Sequence, residues 1–561
     1  MTINNPLPPT HESLAKQGAD FFRAGQVVKA YQVYLEAVLM APEETRYRFS
    51  LIRCLTNLHT KEHNYKLQQA ILLCLLDDDI PPRSVAVIWL EQLFLDPAVS
   101  GFKKLTVCDD YEAFLTAFDH DVFVPLLNNK YFLAGLRRCV IKHTRLENLL
   151  VHLRRFYLLR ADAAQKDAVR PFLCALACKA FLTDYIFPVS DEEQDAVLHA
   201  EESFKDLSVT DQIILGCYRP LYEIDGATAL FDYAIEQQAQ DLLHLTVLQI
   251  DEPIEEQELR QEIQVIGTNS INKPLGLDLP YPRWFGTHPA RFSLNAKMIR
   301  EKLDILYVGC ATGQNVAVMA QHTPNAQLDA VDASLAQLGY AKRRIHELGV
   351  ENIRFLCAQP ENMKDLDKTY DLIYAAGALQ NVESPTEELS NLTHLMKPEG
   401  VMRLALLSDV GLANIKFWRN HIGVQGYKDD YDGIQRLRHD IMHSDIDPLY
   451  QRIMKRDDLY SVMGIKRLLF APYEHGFNFE KIMALLDAAG LRPLKVKAGV
   501  PALERQYKKR FPEDFKKTDL KNWAILEQEV PDAFITGYDL VLVKKPSFKG
   551  DELPLWYRNQ E

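Results

Sequence analysis

Residues 303–314 read LDILYVGCATGQ, an apolar and partly β-branched run that breaks at Gly309 and gives way at Gly313 to a segment of helical character. A strand, a small-residue turn and a helix in that order make a nucleotide pocket, because the turn lets a ligand lie against bare backbone. Beyond it, short apolar runs at 327–331, 353–356, 370–375 and 401–407 alternate with helical stretches. That alternation predicts a parallel sheet.

With 561 residues the chain exceeds a single hydrophobic core, so several domains are expected. A formal net charge of -13 argues against a protein that wraps a phosphate backbone, and nucleic acid is not an expected partner. The densest basic stretch, 495–521, is diluted by Glu504, Glu513 and Asp514 and reads as a solvated helix face. Nine cysteines form no framework of close pairs, which suits a reducing compartment. Cys174 and Cys178, one helical turn apart, read as core residues rather than half a metal site. The opening MTINNPLPPTHE has no leader-like pattern and no run is long and apolar enough to cross a membrane, so a cytoplasmic protein is expected.

The front of the chain, 1–248, is helical in pattern. Within it, 11–42 resembles one tetratricopeptide repeat: Gly18 and Ala30 let two helices approach, Gly25 breaks them and Pro42 ends the second. The landmarks do not recur, so a divergent helical array and an unrelated bundle both fit. Residues 249–282, rich first in Glu and Gln and then in Asn, Gly and Pro, read as a connector. In the second half, Ser334 with Gln337 and Ser384 with Glu387 have capping-box spacing, while Gly349 and Gly490 stand where helices should stop.

A dinucleotide turn uses three glycines, whereas the corresponding places here are Gly309, Ala311 and Gln314. S-adenosylmethionine has no pyrophosphate and needs only a tight turn with backbone close by, which Gly309 and Gly313 supply. Asp332, at the end of the next strand, is placed to accept hydrogen bonds from both ribose hydroxyls. The plain alternative is an aspartate serving the helix cap at Ser334.

With the turn VGCATG, the strand end VDAS, the strand YDLIYAAGAL and the corner LMKPEGVMRLAL, residues 302–545 resemble a class I S-adenosylmethionine-dependent methyltransferase. The resemblance implies an α/β, Rossmann-like domain at 283–545 with a seven-stranded, mostly parallel sheet whose last strand, near 538–544, inserts antiparallel. It implies S-adenosylmethionine as cofactor, bound by Gly309, Cys310, Ala311, Gly313, Asp332, Ala333, Gln359 and Ala375. Tyr307 stands where many members carry an acid, Ala311 where they carry a second glycine, and Gln359 where an aspartate often faces the adenine amine. The whole chain, with its helical front and YPRW before the turn, is similar to bacterial tetratricopeptide-repeat methyltransferases. A protein partner bound through the helical region follows from that likeness.

The sulfonium is already a strong methyl donor, so the protein mainly aligns an acceptor and excludes water. Insertions at 408–477 and 498–536 should emerge at the C-terminal ends of the strands and act as lids or acceptor-binding elements, followed by a tail at 546–561. In the first, His475 and Tyr460 are the catalytic candidates, an imidazole suited to accept a proton near neutral pH and a phenol suited to align an acceptor or face the sulfonium. Both could equally pin the insertion to the domain. Gln380 and Asn381 could orient a ligand but not act as bases. The acceptor is not legible, and two competing readings remain: a protein-interaction scaffold with a degenerate methyltransferase fold, and a nucleotide-dependent oxidoreductase.

Overall fold

The computed structural model describes residues 9–56, 58–108, 110–267, 278–287, 301–444, 447–545, 547–554 and 556–557. It divides into two compact units, one of Met1–Pro253 with Trp284–His288 and the other of Ile254–Arg283 with Pro289–Glu561.

In the first unit every regular element among the described residues is helical. Helices His11–Arg23 and Val27–Met40 are joined across Gly25, whose φ of +74° a residue without Cβ adopts most freely. A Cβ on Gly18 would fall 2.9 Å from the Tyr34 ring, so glycine there is what allows the two helices to close. Ala30 is fully buried between them. Cys174 and Cys178 lie within the buried helix Arg170–Leu182, as core cysteines do.

The second unit is built on one sheet. Its strands are β1 Gln264–Ile266, β2 Asp304–Val308, β3 Gln327–Asp332, β4 Ile353–Ala358, β5 Tyr370–Ala376, β6 Met396–Leu406, β7 Leu491–Ala498 and β8 Tyr538–Lys544. They are ordered β1-β4-β3-β2-β5-β6-β8-β7. All neighbours from β1 to β6 pair in parallel, and β8 inserts antiparallel between β6 and β7. Among the described residues eight strands stand where seven were expected. The additional one, β1, is a three-residue strand that pairs, among the described residues, with β4 alone, and it is too short to show an apolar alternation in sequence. It lies in the stretch read as a connector, which also holds the helix Glu252–Gln261, while residues 268–277 of that stretch are outside the described residues.

Strand order reverses at β2, whose neighbours are β3 and β5. In an open parallel sheet that reversal opens a crevice beyond the strand ends. One face of the sheet, through Leu306, Ile373, Leu404 and Leu540, forms a core with Phe479 and Trp523. Trp523 belongs to the second insertion, so helix Leu520–Glu529 packs into this core rather than hanging free as a lid. The corner before β6 is tight: a Cβ on Gly400 would sit 2.9 Å from the Tyr370 carbonyl oxygen, and the β5–β6 register shifts between Tyr370 and Leu372.

Glu388, in helix Pro385–His394, is 4% exposed. Burial, followed by the neighbouring charge of Glu361, pushes its carboxyl up to about 8 against a bond from Asn391. The folded state therefore holds this proton more tightly than the unfolded chain, whose carboxyl titrates near 4.5, and stability falls as pH rises between those values. Glu388→Gln is expected to raise the melting temperature at pH 8 and above, with the gain shrinking toward pH 4.5; a pH-independent difference in thermal scans would remove this assignment.

Candidate cofactor and acceptor site

The turn after β2 is held from the adjacent strand: the amides of Gly309 and Cys310 both donate to the Val331 carbonyl, at 2.9 and 3.0 Å. Left-handed backbone at Gly309 (φ +68°), Ala311 (+48°) and Gly313 (+80°) then folds the chain into the helix Gln314–His322. The two glycines do different work. A Cβ on Gly309 would meet nothing within 4 Å, leaving an open hollow over bare backbone, whereas one on Gly313 would fall 2.7 Å from the Ala341 Cβ and push two helices apart.

Asp332 closes onto this turn. Its Oδ2 accepts from the Ala311 amide at 2.8 Å and its Oδ1 from the Ser334 amide at 3.1 Å. The cap role and the binding role are thus compatible, since each carboxylate oxygen keeps a further lone pair. The bond to Ala311 also accounts for a non-glycine residue in left-handed backbone, because it stabilises the conformation that alanine alone would leave. Cys310 is buried and its thiol donates to the Ala311 carbonyl at 3.7 Å; burial, with Asp332 nearby, pushes that thiol well up.

Ala333 follows Asp332 half-buried, and Gln359 lies half-buried at the end of β4. Ala375 differs from the expectation: it is fully buried in the hydrophobic core, because alternate residues of a strand face opposite sides. The backbone reaching the surface at the end of β5 is that of Ala376 and Gly377.

Residues 278–283, from the end of the expected connector into YPRW, bond to the turn after β2 and to the start of the helix after β3. The Ser334 hydroxyl donates to Asp278 at 2.8 Å, and the Thr312 hydroxyl donates to the Pro282 carbonyl at 2.7 Å. Gln337 bonds the Leu279 carbonyl and the Tyr281 amide, at 3.2 and 3.4 Å. Ser334 does cap its helix, accepting from the Gln337 amide, but the reciprocal half of the expected capping box is replaced by this strap. Burial raises the Asp278 carboxyl and the charge of Asp332 adds to it, partly offset by the Ser334 hydroxyl. Carboxylates thus stand on both sides of Ser334.

Tyr307 is buried and stacks on Tyr374, with centroids 4.6 Å apart and planes at 23°. The Arg403 guanidinium lies over Tyr374 at 5.3 Å and bonds both oxygens of Asp539 at 2.9 and 2.7 Å. Burial opposes the charge of Arg403, but the bond to Asp539 outweighs it and holds the guanidinium above its usual range.

The catalytic candidates have different partners. His475 donates its backbone amide to the Gln380 carbonyl at 2.8 Å, and its Nε2 lies 2.8 Å from the Val382 carbonyl, so that nitrogen carries the proton. Tyr460 is buried inside the first insertion, where its hydroxyl donates to the Met454 carbonyl at 3.1 Å and Arg438 lies over its ring. Both side chains bond backbone carbonyls in this arrangement.

Residues 305–400 match the family model of a methyltransferase domain. The chain is 34% identical over 101 residues to a malonyl-[acyl-carrier protein] O-methyltransferase of Halalkalibacterium halodurans, covering 18% of this chain and 36% of that protein. It is 30% identical over 141 residues to a trans-aconitate 2-methyltransferase of Enterobacter, covering 25% and 54%. An uncharacterised Synechococcus protein is 26% identical over 197 residues, covering 33% and 46%. Among solved structures, PKMT2 from Rickettsia typhi in complex with AdoHcy aligns with a TM-score of 0.33 at 16% identity, over 50% of this chain and 54% of that one. The chain spans about half or less of the curated relatives' lengths. It carries a methyltransferase domain, and the cofactor is S-adenosylmethionine.

Because Ala311 holds left-handed backbone that glycine adopts freely, Ala311→Gly is expected to be neutral to stabilising, by roughly 0.5–1 kcal/mol. Urea unfolding checks this, and a clear loss of stability would mean that the turn is not strained there.

Proposed function

We propose that this chain is an S-adenosylmethionine-dependent methyltransferase acting on an acceptor bound beyond the C-terminal ends of β5 and β6. The observation that carries the reading is the turn itself: open backbone at Gly309 with the Asp332 carboxylate fastened to the same loop. These residues fit the cofactor. Asp332 would accept the ribose hydroxyls, Gln359 would bond the adenine edge, and the backbone of Ala376 and Gly377 would lie along the methionine portion. When bound, the cofactor supplies an activated methyl group on a sulfonium.

The remaining residues position and exclude water. His475 is read as a positioning residue, since its bonds to Gln380 and Val382 hold the loop after β5. Tyr460 is read as a pin of the first insertion. The stack from Tyr307 to Asp539 fills the place of the missing acid with packed rings and a paired charge, which supports an intact site over the degenerate-scaffold reading. For the helical front, the pair His11–Arg23 and Val27–Met40 supports a tetratricopeptide-like unit that recruits a protein partner. No described helix is long and apolar enough to cross a membrane.

S-adenosylhomocysteine at 100 times its dissociation constant should stabilise the chain by about 2.7 kcal/mol, read as a rise in melting temperature. Asp332→Ala should abolish that rise. A wild-type protein indifferent to the ligand would leave the scaffold reading, and an unaltered response in the variant would discard the ribose assignment.

A further inference from the structure

Beside the cofactor end lies an open cavity of about 430 Å³, lined among others by Gly377, Gln380, Arg403, Lys497, Thr536 and Asp539. Its size suits a small molecule. Gln380 is 4% exposed, and its side-chain Nε2 donates to the Ala405 carbonyl at 3.3 Å. Among the described residues its Oε1 has no hydrogen-bond partner. Turning the amide round would set two acceptor oxygens against each other, so the unpartnered atom is the oxygen. An unsatisfied acceptor this deep costs on the order of 1–3 kcal/mol, and a ligand that donates to it recovers that cost.

The charges of the cavity add a second constraint. Arg403 and Asp539 neutralise each other at 2.7 Å. Lys497 is exposed and makes no ion pair among the described residues; the nearby Glu504 is already bonded to Lys517. A net positive charge is left at the mouth. No lining side chain is a free base: Asp539 is committed to Arg403, and the Tyr538 hydroxyl bonds Glu527 and the Phe477 carbonyl.

Resting on the methyltransferase reading above, we propose that the acceptor is a small amine bearing an anionic group, its N–H donated to Gln380 Oε1 and its acid held by Lys497. The amine reacts in its neutral form, having given its ammonium proton to water in the open cavity, so that its lone pair is available. The nitrogen's lone pair forms the new N–CH3 bond as the methyl's bond to sulfur breaks, that pair staying on sulfur, and the ammonium product gives its proton to water in the open cavity. No protein base is required, which matches the lining. A hydroxyl would satisfy Oε1 but lacks a base to remove its proton. A carboxylate as the methylated group would leave Oε1 without a donor.

The test uses the full chain saturated with S-adenosylhomocysteine and a matched set of probes: 4-aminobutyrate, butyrate, n-butylamine, 4-hydroxybutyrate and succinate, followed by calorimetry. 4-Aminobutyrate should bind about tenfold more tightly than butyrate or butylamine. Gln380→Leu should erase its advantage over butyrate, and Lys497→Glu its advantage over butylamine. Lys497 is at the surface, so the second variant decides the anionic half even if Gln380→Leu fails to fold, and Gln380→Met then serves for the first half. Preference for succinate or 4-hydroxybutyrate, equal binding of all probes, or no binding while S-adenosylhomocysteine still binds would each overturn the proposal. Failure of S-adenosylhomocysteine itself to bind would instead overturn the parent reading.

Discussion

The Val331 carbonyl, shared by the amides of Gly309 and Cys310, is the anchor on which the site is assembled. It ties the end of β2 to the end of β3 at the place where strand order reverses, so the turn cannot drift along the sheet edge. Asp332, one residue beyond that carbonyl, returns a bond to Ala311 and closes the loop. Two adjacent residues of β3 thereby set both the shape of the turn and the position of its carboxylate. The left-handed backbone at Ala311, which an isolated alanine disfavours, persists because both bonds depend on it.

From this anchor the site extends in two directions with different chemistry. Toward β4 it is acidic, with Asp332 and Asp278 around Ser334. Toward β6 and β8 it is neutral to basic: stacked rings lead to a paired arginine, and Lys497 stands beyond. An adenosyl group with its hydroxyls and an acceptor with an acid are suited to opposite ends of such a gradient. The asymmetry also gives Tyr307 a role, since an acid in its place would lie against Tyr374 in a buried stack instead of completing an apolar floor.

Much of the fold was legible because its signals are local. The buried runs of β2 to β6 and of β8 stand out as apolar stretches, the glycine turn as small residues after a strand, and the cap at Ser334 as a hydroxyl before a helix. The short β1 was not legible, for three residues on a sheet edge leave no periodicity. The burial of Ala375 was not legible, because family likeness fixes a strand end to within a residue, while strand pleating changes face at every step. Gln337 had the right spacing for a capping box, yet its amide serves the 278–283 strap instead. Asp278 carried no signal at all, sitting in a stretch whose composition reads as linker.

By itself the sequence determined the alternation of strands and helices, the bare turn, and the carboxylate at the end of the following strand, since each depends on residues within one strand or turn. Only the tertiary structure decided what shares the acceptor cavity. Arg403 and Asp539 are 136 positions apart and meet only because β8 inserts beside β6. The unpartnered oxygen of Gln380 is likewise invisible in sequence, because the absence of a partner is a property of everything packed around an atom and not of the residue that bears it.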